Sequence, residues 1–143
     1  MNKSIIFFAA LLILSINLAS AIVINSVQVD TFSPGQEGQL TLEVKNILND
    51  IAEDVSLSLV FQNLPFIPIG TSEQSVDEID EDDEETFTFR IKAAPDVKPG
   101  DYEIPYILTY TFDSTTKTKT GTIGVKVKAN PVLTFTAEST NPV

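Results

Sequence analysis

The sequence has no cysteine, no histidine and no tryptophan. Without cysteine there can be no disulfide framework, thiolate nucleophile, Cys-ligated zinc or lipidated N-terminal cysteine. Without histidine the commonest general base and the commonest transition-metal ligand are missing. The absence of tryptophan removes the ring best suited to sugar stacking and choline cages, leaving three tyrosines. Basic residues are scarce as well: nine Lys and Arg stand against 20 Asp and Glu, for a formal net charge of −11. Much of that excess is local, since the thirteen residues Glu73 to Glu85 hold nine acids and no bases. Nucleic acid is therefore not expected as a partner, because binding it takes clustered Lys and Arg to displace phosphate counterions.

Only one long apolar run is present. Ile5 to Leu14 follows Lys3 and is followed by Ser15, Asn17 and the small-x-small site Ala19-Ser20-Ala21. A helix needs about 20 apolar residues to cross a bilayer, and this run is half that. The pattern is that of a secretory signal peptide over residues 1–21, with a mature chain starting at Ile22. The expectation is an exported protein, secreted or held at the cell envelope, with no membrane span in the mature chain. Its single Asn-x-Ser/Thr sequon, Asn2-Lys3-Ser4, lies inside the leader, so no N-glycan is expected on the mature domain.

From Ile22 onward apolar residues alternate with polar ones, and Pro, Gly, Asn and Asp punctuate the runs. Ile22 to Val29 is strand-like and ends at the turn signal Ser33-Pro34-Gly35. Leu40, Leu42 and Val44 alternate with Thr41, Glu43 and Lys45, as in a half-buried strand. Val55, Leu57, Leu59 and Phe61 repeat the pattern after a turn at Asn46 to Asp50. Asn63 to Gly70 contains Pro65 and Pro68, which suits a crossing segment or a broken edge strand. Ser75 to Ile79 reads as a short charged edge strand. Phe87, Phe89 and Ile91 carry the next strand, Tyr102 to Phe112 a central one, and Ile123, Val125 and Val127 the last after a turn at Asp113 to Thr116.

About seven strands at nearly regular spacing, with no helical period longer than a turn, predict an all-β fold. Each strand has one apolar stripe, and two antiparallel sheets stacked about 10 Å apart hide both sets. Pro105 conflicts with a mid-strand position because it lacks an N–H. It fits best before full pairing begins, or at a bulge.

Three groups of residues are candidates for chemistry. Asp80, Asp82, Asp83 and Glu84 lie in the acidic run, and clustered carboxylates are calcium ligands. They lack the EF-hand order and its glycine, so calcium binding would be weak, and a solvated turn is the plainer account. Tyr102, Tyr106 and Tyr110 share one strand face, which could form a carbohydrate platform if exposed. Ile104 and Leu108 fall on the same face, which marks it as core-facing. Paired carboxylates for glycoside hydrolysis need a concave site and one raised pKa. These acids fall instead in turns and at outward strand positions. No Ser/His/Asp set or phosphate loop is present, so no catalytic residue, cofactor or enzymatic activity is assigned.

Ser33-Pro34-Gly35-Gln36-Glu37-Gly38, followed by Leu40 to Asn46, resembles the opening motif of CARDB and NEW3-type domains, found in archaeal and bacterial cell-surface and S-layer-related proteins. The second half is similar too, with Thr86 to Ile91, then Lys98-Pro99-Gly100-Asp101-Tyr102, then Tyr106 to Tyr110. The resemblance spans Ile22 to Ala129 and departs where the family's usual Pro-Gly turn reads Glu81-Asp82-Asp83-Glu84. It implies an immunoglobulin-like β-sandwich over 22–129 with a tyrosine corner at Tyr102. It also implies a non-enzymatic structural or adhesive module, repeated along an extended surface protein. Residues 130–143 are then a linker or the first strand of a following repeat, since Val132 to Thr136 is similar to Val27 to Phe32. The expected partners are other envelope proteins or neighbouring repeats. The alternative is an accessory domain binding glycan or calcium through its end loops.

Overall fold

The structure is a computed structural model describing residues 21–130. The leader and the stretch after Asn130 lie outside the described residues, and with them the expectations for 1–21 and for most of 130–143. Eight strands follow one another: β1 (Ile22–Val29), β2 (Glu37–Asn46), β3 (Ala52–Leu59), β4 (Phe66–Pro68), β5 (Glu73–Ile79), β6 (Glu84–Ala93), β7 (Gly100–Phe112) and β8 (Thr115–Val127). They form two four-stranded sheets, ordered β1-β2-β6-β4 and β5-β3-β7-β8. Every strand pairing is antiparallel. The alternation predicted from the sequence is met, since Leu42, Leu57, Phe89 and Val125 are all buried between the sheets.

The count exceeds seven because the proline-containing crossing segment does pair, over three residues only. Phe66 of β4 is buried and meets Phe32 edge-on at 5.8 Å and Tyr102 at 5.5 Å. Edge-to-face contact matches the positive rim of one ring to the negative face of the next. A larger correction concerns β8, which starts at Thr115 rather than near Ile123. Asp113 and Ser114 have φ of 49° and 57°, so two residues make the whole turn, and Phe112 pairs directly with Thr115. Two successive left-handed residues are the type I′ geometry, whose twist matches that of the flanking strands.

Pro105 lies inside β7, opposite Thr122 of β8 and with no bulge there, so the expectation that it precedes pairing holds only on the β3 side. β3 pairs with β7 as far as Leu59 opposite Tyr106, and Pro105 lies one residue further along. Its carbonyl accepts from Val60 N at 2.9 Å, and the missing N–H falls where the β3 ladder has ended. Near the same end, Gly38 leaves room for a core ring. A Cβ there would come within 2.7 Å of Phe32, which is why no side chain fits.

The chain crosses between sheets after β1. Phe32 forms a parallel bridge with Val127, donating from its N–H to Lys126 O at 2.9 Å and accepting from Lys128 N at 2.8 Å. At the other end, Lys119 Nζ donates to Ile22 O at 2.7 Å. The start of β1 therefore lies level with Lys119, and the end of β8 lies level with Phe32. At about 3.3 Å per residue, those levels are roughly 26 Å apart. The chain enters the sandwich at one end and leaves it at the other.

Candidate functional site

The entry end gathers three segments that are distant in sequence, and Asn46 holds them together. Asn46 is the one fully buried polar residue among those described. Its Nδ2 donates to Asp50 O at 2.9 Å and to Ile79 O at 2.8 Å, while Oδ1 accepts from Leu48 N at 2.8 Å. Its own N–H donates to Asp83 O at 2.9 Å, and its carbonyl accepts from Asp82 N at 3.1 Å. A primary amide offers two donors on one atom and an acceptor on the other, and here all are used. Asn46 therefore fixes both the β2–β3 loop and the acidic turn. The sequence reading placed it at the start of a turn and at the end of the Leu40 to Asn46 motif, with no role assigned to its side chain.

The acidic turn is shaped by backbone contacts. Asp83 N donates to Asp80 O at 3.1 Å, and Asp82 has a φ of 64°, a conformation Asp tolerates better than most residues. Asp80, Asp82, Asp83 and Glu84 all point into solvent. Among the described residues no group of three or more carboxylates is arranged to hold a metal ion. Every described carboxylate is exposed apart from the half-buried Glu43. None sits in an enclosed site of the kind that two glycosidase carboxyl groups share.

Beside this turn lies an open depression of about 430 Å³, between the β2–β3 loop and the β7–β8 tip. Asn49, Asp50, Glu53 and Asp113 give it polar walls, and Ile51 and Phe112 supply the apolar part. A bulge in β3 after Glu53, where Asp54 has a φ of 49°, shifts the register against β7 at this point. Two turns far apart in sequence meet only because β3 and β7 are neighbours. Nothing in either turn's composition announces the other.

The tyrosine stripe is structural. Tyr110 is buried, Tyr102 and Tyr106 are half-buried against the core, and Ile104 and Leu108 lie buried between them. Tyr102 Oη donates to Lys98 O at 2.8 Å, the tyrosine-corner contact. Tyr106 covers Gly121, its cross-strand neighbour, where a Cβ would come within 2.6 Å of the phenol oxygen.

No protein-family model matches the sequence, and no curated protein matches it either. Solved structures do. The chain is similar to part of α2-macroglobulin from Escherichia coli, in a structure running from domain MG7 to the C-terminus, with 17% identity and a TM-score of 0.58. The match covers 78% of this chain and 17% of that one. A protein from Porphyromonas gingivalis W83 matches with 15% identity and a TM-score of 0.53, covering 80% of this chain and 50% of that one. The C-terminal domain of wzt matches with 9% identity and a TM-score of 0.52, covering 87% of this chain and 83% of that one. This chain thus spans a small part of the macroglobulin structure. At such identities the likeness establishes an immunoglobulin-like sandwich and carries no activity with it.

Proposed function

We propose that the chain is an exported, non-enzymatic module of a cell-envelope protein of the S-layer-like kind, with a structural or adhesive role. The CARDB and NEW3-type motifs support this reading, as does the leader-like start. The observation that carries it is the placement of entry and exit at opposite ends of the sandwich, roughly 26 Å apart. Domains joined through such ends stack in line, and each adds its own length, which is what a spacer along a surface protein requires. A domain whose ends met on one side would fold the chain back on itself.

The test is expression in a bacterial or archaeal host with an intact export pathway, followed by fractionation and N-terminal sequencing. The expected product starts at Ile22 and fractionates with the envelope or medium. A chain retained in the cytoplasm with Met1 or Asn2 at its terminus would overturn the reading. The accessory-domain alternative has one observation in its favour, the depression beside Phe112, where polar side chains surround an aromatic edge. A saturable response to soluble glycans, lost in Phe112→Ala, would favour it.

A further inference from the structure

The two free edges of the sheet β5-β3-β7-β8 carry charges of opposite sign. Among the described residues β5 is paired only with β3, and its seven residues include Glu73, Asp77 and Glu78 with no base. Among the described residues β8 is paired along its length only with β7, and its thirteen residues include Lys117, Lys119 and Lys126 with no acid. We propose that these edges recognise each other: β8 of one copy of this chain adds to β5 of the next, extending the sheet from molecule to molecule.

Strand direction allows it without any rotation of the second copy. β3 runs antiparallel to both β5 and β7, and β7 runs antiparallel to β8. β5 and β8 therefore run in opposite directions within one molecule. A copy displaced sideways in the same orientation sets its β5 antiparallel to the first copy's β8, the pairing already used throughout the fold. Each edge offers the row of unpaired N–H and C=O groups that a strand presents on its open side. Among the described residues β8 is blocked only near its end, where Phe32 bonds the backbone of Lys126 and Lys128, and at the end of β5 the Ile79 carbonyl is already taken by Asn46 Nδ2. The stretch from Thr115 to Val125 is long enough to take all seven residues of β5.

Charge on an edge strand commonly serves to discourage pairing, and any charge would do for that. Opposite signs on the two edges act differently. Pairing of β5 with β5 or β8 with β8 places like charges together, whereas β5 with β8 places carboxylates against ammonium groups. Only the head-to-tail contact is favoured, and that contact does not close on two molecules. Of the three lysines, Lys119 is committed to Ile22 O, Lys117 lies 5.5 Å from the Phe112 ring, and Lys126 is 3.9 Å from Asp101. Lys117 and Lys126 are both exposed and are the two that can turn toward a neighbour. The proposal goes beyond the envelope reading and does not depend on it, since lateral pairing needs only the edges.

Sedimentation velocity on residues 21–143, which contain the core of the described residues from Ile22 to Val127, tests it. Two charge-reversed variants are needed, Lys117→Glu with Lys126→Glu, and Asp77→Lys with Glu78→Lys. The wild-type sedimentation coefficient is expected to rise with concentration in physiological salt, and each variant alone is expected to stay monomeric. Mixing the two variants restores association, because the acidic β8 of one meets the basic β5 of the other. Melting curves show that each variant is folded. A wild type that stays monomeric up to millimolar concentration overturns the proposal, as does a mixture of folded variants that stays monomeric or variants that associate like the wild type. Any of these results leaves the export test unaffected.

Discussion

Asn46 shows how one side chain can set the form of a whole end of the molecule. Its amide bonds to Leu48, Asp50 and Ile79, and its backbone bonds to Asp82 and Asp83. An acidic turn of this kind has little intrinsic reason to stay folded back, because its like charges repel. Neutral backbone contacts to a buried asparagine hold it without neutralising any carboxylate. Asn46→Ala removes the amide and leaves the Leu48 N–H and Ile79 carbonyl buried without partners. At about 1–3 kcal/mol for each unsatisfied group, the expected loss is about 3 kcal/mol, read as a shift of the urea midpoint at unchanged slope. A loss below about 1 kcal/mol would mean that water replaces the amide and that Asn46 merely fills a turn. The signal was present in the sequence as the Asn closing the Leu40 to Asn46 motif. Burial is what gives it meaning, and burial depends on β5 and β6 arriving from elsewhere in the chain.

The β7–β8 hairpin and β4 show how well elements could be read. The core-facing residues of β7 followed from alternation alone, including the inward tyrosines, because period two leaves only two faces to choose between. The start of β8 was not visible, since Thr115 to Thr122 has no apolar stripe and its strand character comes from pairing with β7. Asp113-Ser114 also lacks the glycine that usually marks a two-residue turn. The double substitution Asp113→Asn with Ser114→Gly suits the positive φ at both positions. It is expected to stabilise the protein by about 0.5–2 kcal/mol, seen as a higher Tm. A lower Tm would show that the turn is not type I′ in solution. For β4, two prolines correctly limited pairing to an edge, but its value to the core comes from Phe66 against Phe32 and Tyr102.

At the scale of the whole molecule, charge and topology combine. The acids concentrate at the entry end, around the turns at Asp50 and Asp80 to Asp83, while Lys98, Lys126 and Lys128 lie toward the exit. If the acidic end is a solvated surface, millimolar calcium leaves Tm unchanged beyond the effect of matched ionic strength. A ligand that bound only the folded state would raise it. A rise specific to calcium, abolished in Asp82→Asn with Asp83→Asn, would restore the metal reading for that turn. With no disulfide, stability at this scale rests on the sandwich core and on the ties that close it, Phe32 to Val127 at one end and Lys119 to Ile22 at the other. In the described residues no helix is long and apolar enough to cross a membrane.

Alternation and turn chemistry, which are local properties, determined the all-β class and the inward faces of β2, β6 and β7, and composition alone excluded thiol and imidazole chemistry. Which strands are neighbours is a long-range outcome, decided when two sheets close over a shared core. That closure brought Asn49 beside Asp113, buried Asn46, set the two ends of the chain apart and left oppositely charged strands at the two edges of one sheet. No local pattern encodes such distances, because each depends on segments that meet only after the chain has crossed between sheets.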